Sequence, residues 1–193
     1  MPFHTSLIHR TGLALVVVDI QEKLASAMER RDEVVATAVR LVKAAALLGA
    51  PIVATRQYPE GLGGLVPELE SALADARSSV GVAVVDKLAF CACDEPAFLE
   101  ALYDTGRSIA VVVGMETHIC VTQTALALAK KTYPVHVVAD ACCSRREPDH
   151  SVALDRLRTA GVVVTTSESV MYEAVSKAGT DEFRRLLEIV KAS

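Results

Sequence analysis

Short β-branched runs alternate along this chain with helical segments, and that alternation restricts the fold more than any other feature. Leu13 to Val18 is continuously apolar and ends in Asp19. Such a run, without polar alternation, is the pattern of a strand buried on both faces. Residues 32 to 48 follow, with Val34, Val35, Ala38, Leu41, Val42, Ala45 and Leu48 at helical spacing and Gly49 as a stop. Further strands are expected over 51–55, 80–85, 108–113, 134–139 and 162–165. Helices are expected over 95–103, 121–131, 148–160, 167–175 and 181–191, with Asp94 capping the first and Pro96 in its opening turn. Residues 58–64, Tyr-Pro-Glu-Gly-Leu-Gly-Gly, read as a loop. Strand and helix in alternation imply an α/β domain around a parallel sheet. A chain of 193 residues fits one domain spanning 1–193.

Composition removes several function classes. Hydrophobic residues make up 51% and charged residues 23%, which argues against disorder. The net charge is −4 and aromatics are only 4%, with no basic run, so nucleic acid is not an expected partner. Charges and turn residues interrupt every apolar run before bilayer length, so no membrane span is expected. The first residues, Met1-Pro2-Phe3-His4-Thr5, lack a signal-peptide pattern, and a cytoplasmic location is expected. Five cysteines do not form a secreted disulfide framework. No cysteine–histidine set has zinc spacing, so no metal is expected.

Doubly wound sheets bind ligands at the carboxyl ends of their strands. Three reactive side chains fall at such ends: Asp19 after strand one, Lys87 after strand three and Cys120 after strand four. Acid, base and thiol on one rim make a nucleophile constellation. Cys120 opens a helix, where the dipole should lower its pKa. Each residue also has a plainer reading: a capping aspartate, a solvated lysine, a small buried cysteine. His118 is too close in sequence to face Cys120 on a helix, and His150 would have to approach in space. His4, His9 and His136 carry no functional signal. Cys142 and Cys143 follow strand five and offer a redox partner, although adjacent cysteines rarely suit disulfide geometry.

These residues resemble the isochorismatase-like cysteine hydrolase superfamily. Three motifs match in order: Val16-Val17-Val18-Asp19-Ile20-Gln21, Lys87, and Gly114-Met115-Glu116-Thr117-His118-Ile119-Cys120-Val121. The segments 55–63, 138–145 and 166–169 are similar to the branch called isochorismatase domain-containing proteins. The resemblance implies a three-layer, Rossmann-like α/β fold with a six-stranded parallel sheet ordered 3-2-1-4-5-6. It implies Cys120 as nucleophile, Asp19 as base and then acid, and Lys87 as their electrostatic support. It also implies a cis peptide at Met115–Glu116 that aims the Glu116 N–H, with that of Cys120, at an oxyanion. By position, Gln21, Gln57, Tyr58, Phe90 and Ile119 would line the pocket, and Arg56 or Arg145 would hold an anionic group. Nicotinamidases of this superfamily bind a metal through histidines after strand two. Here that stretch is Arg56-Gln57-Tyr58-Pro59-Glu60, so neither a metal nor nicotinamide is expected. The expected activity is cofactor-free hydrolysis of a small amide, ureido or ester compound. A binding protein on the same fold and a thiol-redox protein are the alternatives. A mean hydropathy of +0.33 and the family's habits point to a homo-oligomer.

Overall fold

The computed structural model describes residues 7–192. Six strands form one sheet: β1 (Leu13–Val18), β2 (Ile52–Gln57), β3 (Val82–Lys87), β4 (Ile109–Met115), β5 (Val135–Cys143) and β6 (Val163–Thr165). All neighbouring pairs are parallel and the order is β3-β2-β1-β4-β5-β6, as expected. The described helices are α1 (Glu22–Ala25), α2 (Arg31–Leu48), α3 (Pro59–Leu62), α4 (Pro67–Ala76), α5 (Pro96–Asp104), α6 (Thr122–Lys130), α7 (Glu147–Thr159), α8 (Ser167–Val175) and α9 (Asp181–Lys191).

Side-chain alternation along the central strands builds three layers. Leu13, Leu15 and Val17 of β1 join the core beneath α2, α4, α8 and α9, together with Val111 and Val113 of β4. Ala14, Val16 and Val18 enter the opposite core with Ala110 and Val112, against residues of α5, α6 and α7. Successive strand residues face opposite sides of a sheet, so a strand covered on both sides must be apolar throughout. Each fully buried Val or Leu contributes about 1.5–3 kcal/mol relative to exposure. Helix α2 ends as expected, with Gly49 at φ 73° and its N–H bonded near the helix end.

Several local expectations need correction. Asp94 does not cap α5. It closes a short 3₁₀ turn, Ala92–Asp94, and Glu95 occupies the capping position. The Glu95 carboxylate instead accepts the backbone N–H groups of Leu88 and Ala89, 3.0 and 3.1 Å away. Strand β5 runs on to Cys143, so Cys142 and Cys143 lie within it rather than after it. They belong to opposite cores, Cys142 to one and Cys143 to the other, which rules out a bond between them. The stretch 58–64 contains the short turn of helix α3, and α1 and α4 are additional to the expected elements. His4 lies outside the described residues.

Candidate active site

The site forms at the carboxyl ends of four neighbouring strands, with β2 and β3 running two residues beyond β1. Val18 is level with Thr55 of β2 and with Gly114 of β4, and Gln57 is level with Lys87 of β3. Asp19 follows directly, at φ 52°, with its N–H donated to the Thr55 carbonyl at 3.2 Å. Aspartate tolerates the left-handed region better than most residues, and here that turn directs the carboxylate over the sheet. Gly114, at φ 134°, makes the approach possible: a Cβ there would sit 2.0 Å from the Val18 carbonyl oxygen.

Asp19 and Lys87 form an ion pair, Nζ to Oδ2 2.7 Å, and both side chains are 0% exposed. Burying two charges is tolerable only when the remaining polar atoms are partnered. Strand β2 supplies those partners from two residues on one face. Thr55 Oγ1 donates to Asp19 Oδ1 at 2.7 Å, and Gln57 Oε1 accepts from Lys87 Nζ at 2.6 Å. The ammonium also donates to the carbonyls of Ala89 and Phe90, at 3.2 and 3.3 Å. Asp19 Oδ2 pairs with the ammonium.

Cys120 does not open an ordinary helix. It lies in a π-helical turn, Thr117–Val121, that precedes α6, and it is 5% exposed. The thiol pKa is raised to about 12, the reverse of the direction expected from a helix terminus. Burial is the larger cause, and the Asp19 carboxylate adds to it, while Lys87 opposes both. The resting cysteine is therefore a thiol held against a carboxylate and an ammonium.

The peptide Met115–Glu116 is cis. The Glu116 side chain is buried and turned to Arg145, whose backbone N–H and Nε donate to Oε2 at 2.9 and 3.1 Å. Arg56 likewise pairs with Asp86, at 2.6 and 3.0 Å. Both arginines expected to hold an anion thus already hold a carboxylate. Gln21 is fully buried and knits backbone together: Nε2 donates to Gln57 O and Gly63 O at 3.0 and 2.7 Å, and Oε1 accepts from Gln57 N at 2.7 Å. The Gln57 amide is similarly engaged, with Nε2 donating to Leu88 O at 2.8 Å. Tyr58 and Phe90, at 49% and 55% exposed, stand open at the ends of β2 and β3, and Ile119 is partly buried beside Cys120. His118 bonds Ser144 and His150 bonds Thr117, 2.9 and 2.8 Å apart, so both have partners within the protein. Thr55 was not expected in the site. A threonine in a β-branched strand carries no sequence signal beyond strand propensity.

A family model of the isochorismatase domain matches residues 13–169. The chain belongs to the isochorismatase-domain family. It is 38% identical over 178 residues to isochorismatase domain-containing protein 2A of Mus musculus, covering 92% of this chain and 82% of the mouse protein. Against isochorismatase domain-containing protein 1 of Salmo salar the identity is 36%, and the chain spans 59% of that longer protein. Among solved structures it resembles one described as the MAR1 ribonuclease from Caenorhabditis elegans, with TM-score 0.88 and 33% identity over 97% of this chain and 94% of that one. The Escherichia coli YcaC protein, described as an octameric hydrolase of unknown specificity, shares the fold with TM-score 0.85 and 24% identity over 98% and 92% of the two chains. Among the described residues, no helix is long and apolar enough to cross a membrane.

Proposed function

We propose that this protein is a cysteine hydrolase acting on a small amide, ureido or ester compound, with Cys120, Asp19 and Lys87 as its catalytic residues. One observation carries the reading: a thiol pushed up to about 12 by burial is packed against a fully buried aspartate–lysine pair at the carboxyl rim of the sheet. A thiol in that state needs a base in contact to become a nucleophile.

Sulfur attacks the carbonyl carbon while the thiol proton passes to the Asp19 oxygen that Thr55 leaves free. The N–H groups of Glu116 and Cys120 receive the developing oxyanion. Asp19 then returns the proton to the leaving nitrogen or oxygen, and a thioester remains on Cys120. Water attacks the thioester, giving its proton to Asp19. Collapse releases the acid, and the proton returns to sulfur. Lys87 stays charged throughout and keeps Asp19 in place. In this reading Tyr58, Phe90 and Ile119 face the substrate, and Gln21 and Gln57 hold the strand ends that carry the triad. None of these steps calls for a cofactor or metal.

We also propose a homo-oligomer, in line with the octameric description of YcaC. Light scattering on the purified protein tests this directly, and a monomer at micromolar concentration would contradict it.

The functional test is a panel of small amides, ureido compounds and esters assayed with wild type and Cys120→Ala side by side. The expected result is turnover by wild type only. No Cys120-dependent product across the panel would favour a binding protein on this fold. An RNA oligonucleotide belongs in the panel because of the C. elegans relative's description. With net charge −4 and few aromatics, no cleavage of it is expected.

A further inference from the structure

Cys91 and Cys93 have no role in the chemistry above, yet they are placed together with some care. They flank Ala92 at the start of the 3₁₀ turn, and each is 7% exposed. Both sulfurs point at the first turn of α6. Cys91 Sγ donates to the Gln123 carbonyl at 3.7 Å, and Cys93 Sγ donates to the next carbonyl, that of Thr124, at 3.9 Å. Between them the Ala92 N–H donates to Thr124 Oγ1 at 3.0 Å. Two thiols bonded to successive carbonyls of one helical turn are neighbours.

We propose that Cys91 and Cys93 are an oxidation site, at which a hydroperoxide converts the two neighbouring thiols into an intramolecular disulfide. The step balances without a cofactor. The Cys91 thiolate attacks one oxygen of hydrogen peroxide, forming the sulfenic acid and releasing hydroxide. The Cys93 thiol then displaces the sulfenic hydroxyl, forming the sulfur–sulfur bond and releasing water. Two thiols are oxidised, and one peroxide is reduced to two waters.

The chemistry of the other thiols favours this pair. Contact between the two thiols lowers the pKa of Cys91 and raises that of Cys93, so the pair favours a thiolate on Cys91. Burial pushes Cys120 and Cys143 up to about 12 and raises Cys142 as well. Peroxide reacts with thiolate, so Cys91 is oxidised first.

Position gives the disulfide a consequence. The residues just before the turn, Ala89 and Phe90, supply two of the carbonyls that hold Lys87 Nζ. The helix that receives the two sulfurs begins two residues after Cys120. Oxidation removes both S–H donors between these segments, one carrying the support of Lys87 and the other following the nucleophile. That oxidation lowers hydrolysis rests on the function proposed above; that the disulfide forms does not.

Trypsin separates the thiols cleanly: Cys91 and Cys93 fall in residues 88–107, Cys120 in 108–130, and Cys142 with Cys143 in 132–145. The folded protein is treated with graded hydrogen peroxide, denatured, alkylated with iodoacetamide and digested. The expected result is loss of two hydrogens and of both alkyl groups from peptide 88–107, at lower peroxide than any change elsewhere, reversed by dithiothreitol. In Cys93→Ser the reaction should stop at a sulfenic acid on Cys91 that dimedone traps, and Cys91→Ser should leave the peptide unoxidised. Peptide 88–107 remaining doubly alkylated at peroxide levels that oxidise Cys120 overturns the proposal. So does a disulfide joining Cys120 to Cys142. Neither outcome bears on whether Cys120 turns over an amide or ester.

Discussion

Replacing Lys87 with methionine is the perturbation that most sharply separates an assembled charged site from a coincidence of residues. The substitution keeps length and apolar stem and removes the charge. Asp19 would then be a carboxylate at 0% exposure with the Thr55 hydroxyl on Oδ1, the neutral Cys120 thiol beside it and no cation facing Oδ2. Gln57 Oε1 would lose its donor and cannot turn away freely, because its Nε2 is fixed to Leu88 O. Breaking a buried ion pair from one side costs about 3–5 kcal/mol. For a chain of this size each kcal/mol lowers the melting temperature by roughly 2–4 °C, so a fall of roughly 6–20 °C is expected. Urea titration followed by circular dichroism gives the free energy. The double variant Asp19→Asn/Lys87→Met removes both charges and keeps the Thr55 hydrogen bond. It should recover at least half of the loss. Reactivity supplies a second readout: Lys87 is the influence that lowers the Cys120 pKa, so in Lys87→Met alkylation of Cys120 should slow at a given pH. A loss below about 1 kcal/mol, or a double variant as damaged as the summed singles, would refute the reasoning.

Three further perturbations follow from the same geometry. Thr55→Val removes the 2.7 Å bond to Asp19 at nearly constant shape and should cost about 1.5–3 kcal/mol in a denaturant melt, with Thr55→Ser restoring most of it. Gly114→Ala puts a Cβ 2.0 Å from the Val18 carbonyl oxygen and should cost at least about 2 kcal/mol; a neutral effect would contradict the close approach of β1 and β4. His136 and His150 have pKa values lowered by burial, and Nε2 of His136 has no hydrogen-bond partner among the described residues. The unfolded chain therefore binds protons that the folded one refuses. Stability should hold above about pH 6.5 and fall as pH drops below it. Urea melts at pH 7.5 and 5.5 should show that loss, and His136→Leu should reduce it.

The sheet could be read from the sequence because its signal is local and strong. Leu13–Val18 and Ile109–Val113 are apolar throughout because both of their faces are covered. The rim positions of Asp19, Lys87 and Cys120 followed from that reading. What the sequence did not carry is environment. The sign of the Cys120 shift depends on burial and on Asp19, a residue about a hundred positions earlier in the chain. Arg56 and Arg145 looked like anion holders, but their carboxylate partners Asp86 and Glu116 lie about thirty residues away. Thr55 became visible only when β2 lay beside β1. Helix α4 has a signal, Leu69, Ala72, Leu73 and Ala76 at helical spacing after Pro67, which the turn-rich stretch before it masks.

The central claim is that Cys120 forms a covalent bond with substrate. The most direct measurement is the mass of peptide 108–130 after rapid acid quench of the protein with an amide or ester it turns over. The account predicts an acyl mass on that peptide in wild type, on Cys120 by fragmentation, and none in Cys120→Ala, which should also be inactive. Full turnover by Cys120→Ala, or an acyl group carried by another residue, would contradict it.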